Sequence, residues 1–441
     1  MKKAILVLAI FIVAFGGCGT NGDADYEPGG EAEVLEPVPE QAPITEAPEP
    51  EYEPLPEGAF PPIVISEGAM TPDFNIITAA EWVSNVRMGW NLGNTLDTYS
   101  ATGRGFSWLG GGLYVLTSIL EMETAWGNPH TTREMIETIS DAGFNAIRIP
   151  TTWHKAADDN FIIREDWMER VTEIVDFAMD AGMQVILNTH HDNRIFRLHD
   201  EYIEDSKIAL ERIWTQIAYA FRDYDERLIF NGLNEPRTQG TPAEWRGGTQ
   251  EERENLNRLH QVFVDAVRNT GGNNAERVLL IPTYAASTAR VAQYAMEIPI
   301  DSVEDRIIVA LHMYSPWEFA LRTGAEALTT TWDAEDHGDT SPITDPIFMA
   351  YELFVSNGIP VVMGEMGALN RGNEEYRAKW AYFYVSFARS LGIPCFWWDN
   401  GEYWPSRENA WGWDETFGLL IRRTNEFAHP LIIDALMRAT E

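Results

Sequence analysis

Beyond about residue 80 the chain alternates two patterns: amphipathic stretches whose apolar residues fall three and four apart, and short continuous apolar runs. Four passages carry the junction between them: Asp141-Ala142-Gly143-Phe144-Asn145-Ala146-Ile147-Arg148-Ile149, Asp180-Ala181-Gly182-Met183-Gln184-Val185-Ile186-Leu187, Ser356-Asn357-Gly358-Ile359-Pro360-Val361-Val362 and Ser390-Leu391-Gly392-Ile393-Pro394-Cys395-Phe396. Glycine accepts the left-handed backbone that ends a helix, so each passage reads as helix, cap, strand. Met135, Ile136, Ile139 and Ala142 mark one face of the helix before Gly143, and Thr131 with Glu134 has capping-box spacing at its start.

Eight apolar runs qualify as strands: 86–90, 146–149, 185–188, 228–231, 278–281, 307–311, 361–363 and 394–397. Continuous apolar strands separated by amphipathic helices predict a parallel sheet covered by helices. Eight such units, over more than the roughly 250 residues a closed barrel needs, predict an α/β fold of the (β/α)8 TIM-barrel type. No Gly-x-Gly-x-x-Gly follows the first strand, which argues against a doubly wound dinucleotide-binding sheet. In a barrel the residues just past the strands share one face, the mouth where active sites sit. Here they are Asn91 and Asn94; Arg148; His190, His191 and Asp192; Asn234 and Glu235; His312 and Tyr314; Glu365; and Trp398, Asp399 and Asn400. Arg148 stands between Ile147 and Ile149, and a buried cation there needs a partner.

Composition narrows the partners. Of 441 residues, 45% are hydrophobic and 23% charged, an ordinary balance for a large packed core. A net charge of -36 argues against nucleic acid or an anionic membrane face as partner and suits a neutral substrate. The 16 tryptophans exceed what packing usually needs, so some are expected to line a cleft. By loop position Trp126, Trp153, Trp317 and Trp404 are the nominees, with the Gly-rich, polar loops 98–120 and 323–341 at its rim.

Met1-Lys2-Lys3, an apolar run over 4–15 and Gly16-Gly17-Cys18 have the layout of an export signal, too short to span a bilayer. Cys18 after two glycines resembles a bacterial lipoprotein signal, in which 1–17 is removed and Cys18 is lipidated as a membrane anchor. An exported protein, at the cell surface or outside it, is the expectation. Residues 18–65 are rich in Glu and Pro, and 20–62 contain no Lys or Arg, which predicts a disordered tether before a single catalytic domain over 66–441. The other cysteine, Cys395, lies in an apolar run and reads as a small hydrophobe, so no disulfide framework is expected. A monomer is expected.

The most informative mouth residues are two glutamates. Asn231-Gly232-Leu233-Asn234-Glu235-Pro236 and Met363-Gly364-Glu365-Met366-Gly367 each end an apolar run, so two strands present two carboxyls at one rim. Acid/base cleavage of a glycosidic bond requires that layout. These segments belong to a longer series: Gly89-Trp90-Asn91-Leu92-Gly93-Asn94-Thr95-Leu96-Asp97, Thr124-Ala125-Trp126-Gly127-Asn128-Pro129, Phe144-Asn145-Ala146-Ile147-Arg148-Ile149-Pro150, Thr189-His190-His191, Asn234-Glu235-Pro236, His312-Met313-Tyr314 and Gly364-Glu365. In this order they resemble the retaining cellulases of glycoside hydrolase family five, most of all its broad-specificity bacterial endoglucanase branch.

The resemblance runs from about residue 80 to 435 and implies a (β/α)8 barrel that needs no metal or cofactor and cleaves a β-linked plant polysaccharide. It implies Glu235 as general acid/base and Glu365 as nucleophile, with Asn234 at the sugar 2-hydroxyl, Arg148 and Tyr314 orienting Glu365, and His312 near Glu235. His190, with His191 beside it, matches the histidine position after the third strand, and Trp398 the aromatic platform; Asn94 and Trp126 fall inside the matching motifs. An isolated glutamate titrates near about 4.3, so the acid role predicts that burial and the charge of Glu365 raise Glu235. Two readings from other classes stay open. One is a metal-dependent barrel hydrolase using His190, His191, Asp192 and His312, against which adjacent residues of an extended segment point to opposite sides. The other is a surface glycan-binding barrel without hydrolysis, against which both glutamates are present. Cellulose, mixed-linkage glucan, xyloglucan and xylan are all open as the glycan.

Overall fold

The computed structural model describes residues 60–65, 69–98, 105–106, 113–114, 118–323, 329–403 and 415–441. These fall in one compact unit, Pro54–Glu441. Its centre is a closed barrel of eight parallel strands: β1 Gly89–Leu92, β2 Ala146–Ile149, β3 Gln184–Asn188, β4 Leu228–Asn231, β5 Leu279–Ser287, β6 Ile307–His312, β7 Val361–Met366 and β8 Cys395–Asp399. Each strand pairs with its sequence neighbours, and β8 closes on β1. Helix α1 (Ala79–Asn85) precedes the barrel; α2 (Arg133–Asp141), α3 (Glu165–Asp180), α4 (Ile203–Ala220), α5 (Gln250–Arg268), the short α6 (Arg290–Tyr294), α7 (His337–Leu353) and α8 (Glu374–Ser390) alternate with the strands, and α9 (Pro430–Arg438) follows β8. Among the described residues, no helix is long and apolar enough to cross a membrane.

Successive side chains of a strand point to opposite faces, and the apolar residues divide accordingly. Ile147, Val185, Leu187, Phe230, Val309 and Trp397 face the helices and join the large outer core. Ala146, Ile186, Ile229, Ala310, Val362 and Phe396 form a separate core inside the barrel, which Trp82 and Val83 of α1 complete from below. Two residues further along, the inward positions turn polar: Arg148, Asn188, Asn231 and His312, with Asn91 of β1 and Trp398 of β8. All are buried. The barrel thus has an apolar floor and a polar mouth.

Local rules account for most boundaries. Gly143, Gly182, Gly358 and Gly392 have φ of 106°, 77°, 84° and 76°, the left-handed geometry expected of the four helix caps. The expected capping box is corrected: Thr132, not Thr131, caps α2 by accepting from the Met135 amide, while the Thr131 amide is held by Glu123. The first strand begins at Gly89 rather than 86, because Val86 ends α1 and packs under the barrel. Strand β7 continues through Met366, so Glu365 sits within the strand. Cys395 is a buried free thiol. Phe60, within the segment assigned to the tether, stacks on Phe161 at 6.1 Å.

Candidate active site

Arg148 organises the mouth. Register sets it beside Asn91 of β1, and its Nη1 donates to Asn91 Oδ1 at 2.9 Å and to Glu365 Oε1 at 2.7 Å. Its Nη2 donates to Asn234 Oδ1 at 2.5 Å. The buried cation therefore has its expected carboxylate, and its planar fork fixes three groups, on β1, on β7 and just past β4. Because Asn234 Oδ1 is taken by Arg148, the amide NH2 of Asn234 is left to donate elsewhere. Asn91 Nδ2 in turn donates to the Gly364 carbonyl at 2.8 Å, steadying the strand just before Glu365.

Glu365 accepts on its other oxygen from the Tyr314 hydroxyl at 2.9 Å. Burial, then the neighbouring carboxylates, push the Tyr314 phenol well above its ordinary range, so it stays a proton donor in this bond. His312 pairs in register with Glu365 and bridges the two glutamates: its Nδ1 is 2.9 Å from Glu235 Oε1 and 3.6 Å from Glu365 Oε1. One donor atom from each of Glu235, His312 and Glu365 lies within 4.8 Å of the others. Carboxyl oxygens no more than 4.8 Å apart fit double displacement at a sugar carbon, for which carboxyl groups roughly 5 to 5.5 Å apart are typical, better than the wider gap that inversion needs. A Cβ on Gly364 would come within 3.0 Å of His312 Nε2, so glycine is what admits the imidazole here.

Glu235 departs from expectation. Burial acts to raise its carboxyl, but the His312 hydrogen bond and the charges of Arg237, His312 and Arg148 outweigh it and hold it down at about 2. Arg237, directly after Pro236, donates to Glu235 Oε2 at 3.2 Å. The expected rise rested on burial and on Glu365 alone; the hydrogen bond from His312 and the nearby guanidinium groups reverse the sign.

Residues 103–403 match the family model described as cellulase, glycosyl hydrolase family 5. Endoglucanase B of Neocallimastix patriciarum is 42% identical over 82% of this chain and 72% of its own length. Endoglucanase A of Ruminococcus albus is 39% identical over 82% of this chain and 92% of its own. A broad-specificity GH5-4 endoglucanase from Ruminococcus champanellensis, solved with cellotriose bound, superposes with a TM-score of 0.75 at 39% identity, covering 83% of this chain and 99% of that one. The chain belongs to glycosyl hydrolase family 5. It is a glycoside hydrolase.

The rest of this family 5 site surrounds the carboxylates. Trp398 stacks on His190 with ring centroids 5.6 Å apart and planes within 8°, and Gly93 makes room, since a Cβ there would meet the indole at 2.7 Å. His190 Nε2 lies 3.4 Å from Asn234 Nδ2, and its ring edge meets His191 at 4.5 Å between centroids. The two histidines therefore do not diverge: both lie beyond the end of β3, where strand alternation no longer applies. They group with Asp97, whereas His312 groups with the glutamates, and Asp192 is engaged by His154 and the Trp153 amide. The metal reading's side chains are thus dispersed over separate clusters. Burial lowers His190 well below the usual imidazole range and His191 to about 4, and it raises Asp97 to about 7.

Trp126 sits at the mouth, donating to the Asp97 carbonyl at 3.1 Å and facing His191. Asn94 contributes as a turn: its φ is 51°, and Asn128 ties its carbonyl to that of Asn400. Trp153 is a correction, because its ring is fully buried with Nε1 on the Asn188 carbonyl, and it lines no cleft. Trp317 is 57% exposed beyond β6, and Trp404 lies outside the described residues, as do Cys18, most of loop 98–120 and residues 324–328; the segment 323–341 is not loop throughout, because α7 begins at His337. Sequence reasoning missed Arg237 and Asp97, and also Glu415, whose carboxyl is raised by burial and by the charges of Glu235 and Glu365. The signal for Arg237 was its place two residues after Glu235.

Proposed function

We propose that this glycoside hydrolase is a retaining endo-β-1,4-glucanase acting on plant β-glucans, with Glu235 as acid/base and Glu365 as nucleophile. The observation that carries the reading is the pair of facing carboxyls with unlike partners: Glu365 held by Arg148 and Tyr314, Glu235 by His312 and Arg237. Glu365 attacks the anomeric carbon while Glu235 protonates the leaving oxygen; a glycosyl ester forms and the glycosidic bond breaks. Glu235, now ionised, takes a proton from water, and the resulting attack releases sugar and frees Glu365. Asn234 Nδ2 is the donor for the sugar 2-hydroxyl, and Trp398 the face on which the ring rests.

The low resting state of Glu235 suits the second step and must be reversed for the first. A sugar in the cleft displaces water from the carboxyl, which favours the neutral form. His312 Nδ1 occupies Oε1, which leaves Oε2 for the proton, where the leaving oxygen needs it.

The deciding experiment replaces each carboxyl. Glu365→Ala should lose β-1,4-glucan hydrolysis by roughly four orders of magnitude, and azide should restore turnover of an activated aryl glycoside as a product of inverted configuration. Glu235→Ala with azide should give the retained product. Swapped configurations would exchange the roles, and wild-type-like activity in either variant would sink the reading. On sequence alone we also propose that residues 1–17 are an export signal, that Cys18 carries lipid, and that the Glu- and Pro-rich stretch holds the catalytic domain off the membrane.

A further inference from the structure

The loop after β4 sets a second cation against the acid/base carboxyl. Arg237 Nη1 donates to the Glu235 carbonyl at 3.0 Å and to Oε2 at 3.2 Å, while its Nε donates to Glu244 Oε1 at 3.0 Å. Trp245 covers the guanidinium, with its ring centroid 4.3 Å from the central carbon, and is itself 59% exposed. The Arg237, Glu235 and Glu244 side chains are only 14%, 17% and 16% exposed, so solvent screens their charges weakly. The loop is braced as well. The Ala285 amide donates to the Pro236 carbonyl at 2.9 Å, the Thr238 amide to the Tyr284 hydroxyl at 3.2 Å, and the Gly240 amide to Glu244 Oε2 at 2.8 Å.

The division of labour on Glu235 is specific by oxygen. His312 holds Oε1, and Arg148 is committed to Glu365, Asn91 and Asn234, which leaves Oε2 to Arg237. Resting on the acid/base assignment of Glu235, we propose that Arg237 is a positioning residue, seated by Glu244 and Trp245, that governs when Oε2 holds a proton. It favours the ionised carboxylate for the water-activating half-reaction and yields Oε2 to the proton in the glycosyl-transfer half. Glu244 matters because its carboxylate shares the charge of the guanidinium it seats, and Trp245 because it keeps water out of the ion pair. The other charged and titratable groups around Glu235 are Arg148 from β2, His191 beyond β3, His312 from β6, Tyr314 beyond it, Glu365 from β7 and Glu415 beyond β8. None of these lies on the loop, although the Arg237 charge also lowers His191.

The test is the pH profile of kcat on a saturating cello-oligosaccharide, whose basic limb reports the proton on Glu235 with the sugar bound. Arg237→Gln should move that limb up by about one pH unit or more, and Arg237→Lys, which keeps the charge, should leave it close to wild type. Glu244→Gln should move it the opposite way, downward, since Arg237 then serves Glu235 alone; this variant decides the matter if Arg237→Gln does not fold. An Arg237→Gln enzyme that loses activity evenly across pH with its limb unmoved, or a Glu244→Gln limb that stays put, would overturn the proposal. Failure of the underlying assignment looks different: there Glu235→Ala would itself keep hydrolysing glucan.

Discussion

Arg148 shows what one side chain can settle. Its guanidinium is fully buried, yet it meets Asn91, Asn234 and Glu365 with separate hydrogen bonds, so its desolvation is offset and its fork holds the nucleophile and the 2-hydroxyl contact in fixed relation. Lysine would keep the charge and lose the fork. Arg148→Lys should therefore fold, with an unchanged far-ultraviolet circular dichroism spectrum, and lose kcat/KM by roughly a hundredfold; near-wild-type kinetics would show that charge alone suffices. This residue was legible in the sequence because a cation between two isoleucines breaks a strand pattern. Arg237 was not, because an arginine in a polar loop looks like any solvated charge until Glu235, Glu244 and Trp245 are seen to converge on it.

At the scale of elements, helix α5 combines a well-marked start with an unexplained interior residue. Thr249 and Glu252 form a reciprocal capping box, and Leu256, Leu259, Phe263 and Val267 line its buried face. His260 lies on that face too, with neither ring nitrogen bonded among the described residues, and burial lowers it to about 3. Unfolded imidazole titrates near about 6.5, so as pH falls from there towards 3 the unfolded chain takes up a proton the folded one refuses, and stability drains away. Above that window the effect is absent. Exchanging His260→Leu should flatten the fall of Tm between pH 7 and 4.5, giving a gap over wild type that widens with acidity; parallel Tm curves would show that other groups govern acid unfolding. Strand and helix types were readable from periodicity, whereas their ends moved by a few residues. Val86, for example, is apolar enough for a strand, and only the helix before it claims it.

Closure of the barrel belongs to the whole molecule. Strand β8 pairs with β1, setting Trp398 opposite Asn91, and Arg422 beyond β8 clasps Asp399 at 2.8 Å, the Gly93 carbonyl at 2.8 Å and Thr95 Oγ1 at 2.7 Å. That clasp joins the two ends of the sheet at the mouth, where the substrate reading needs rigidity. Cellular placement also belongs at this scale. Expressed in a bacterium, the full chain should take up radiolabelled palmitate and sediment with membranes, and Cys18→Ser should abolish both; equal labelling of the variant would remove the lipid anchor from the proposal.

The sequence by itself determined the alternation of helix and strand, the eightfold count, and which residues crowd one rim, because side-chain periodicity, glycine caps and strand alternation are local physics. It also marked both glutamates. Tertiary structure alone decided that Trp153 is core, that His190 and His191 share a cluster with Asp97, and that the neighbours of Glu235 lower its carboxyl where burial alone would raise it. Charge interactions depend on distance in space, and the decisive partners, such as Arg148 and Glu365, lie 217 positions apart along the chain.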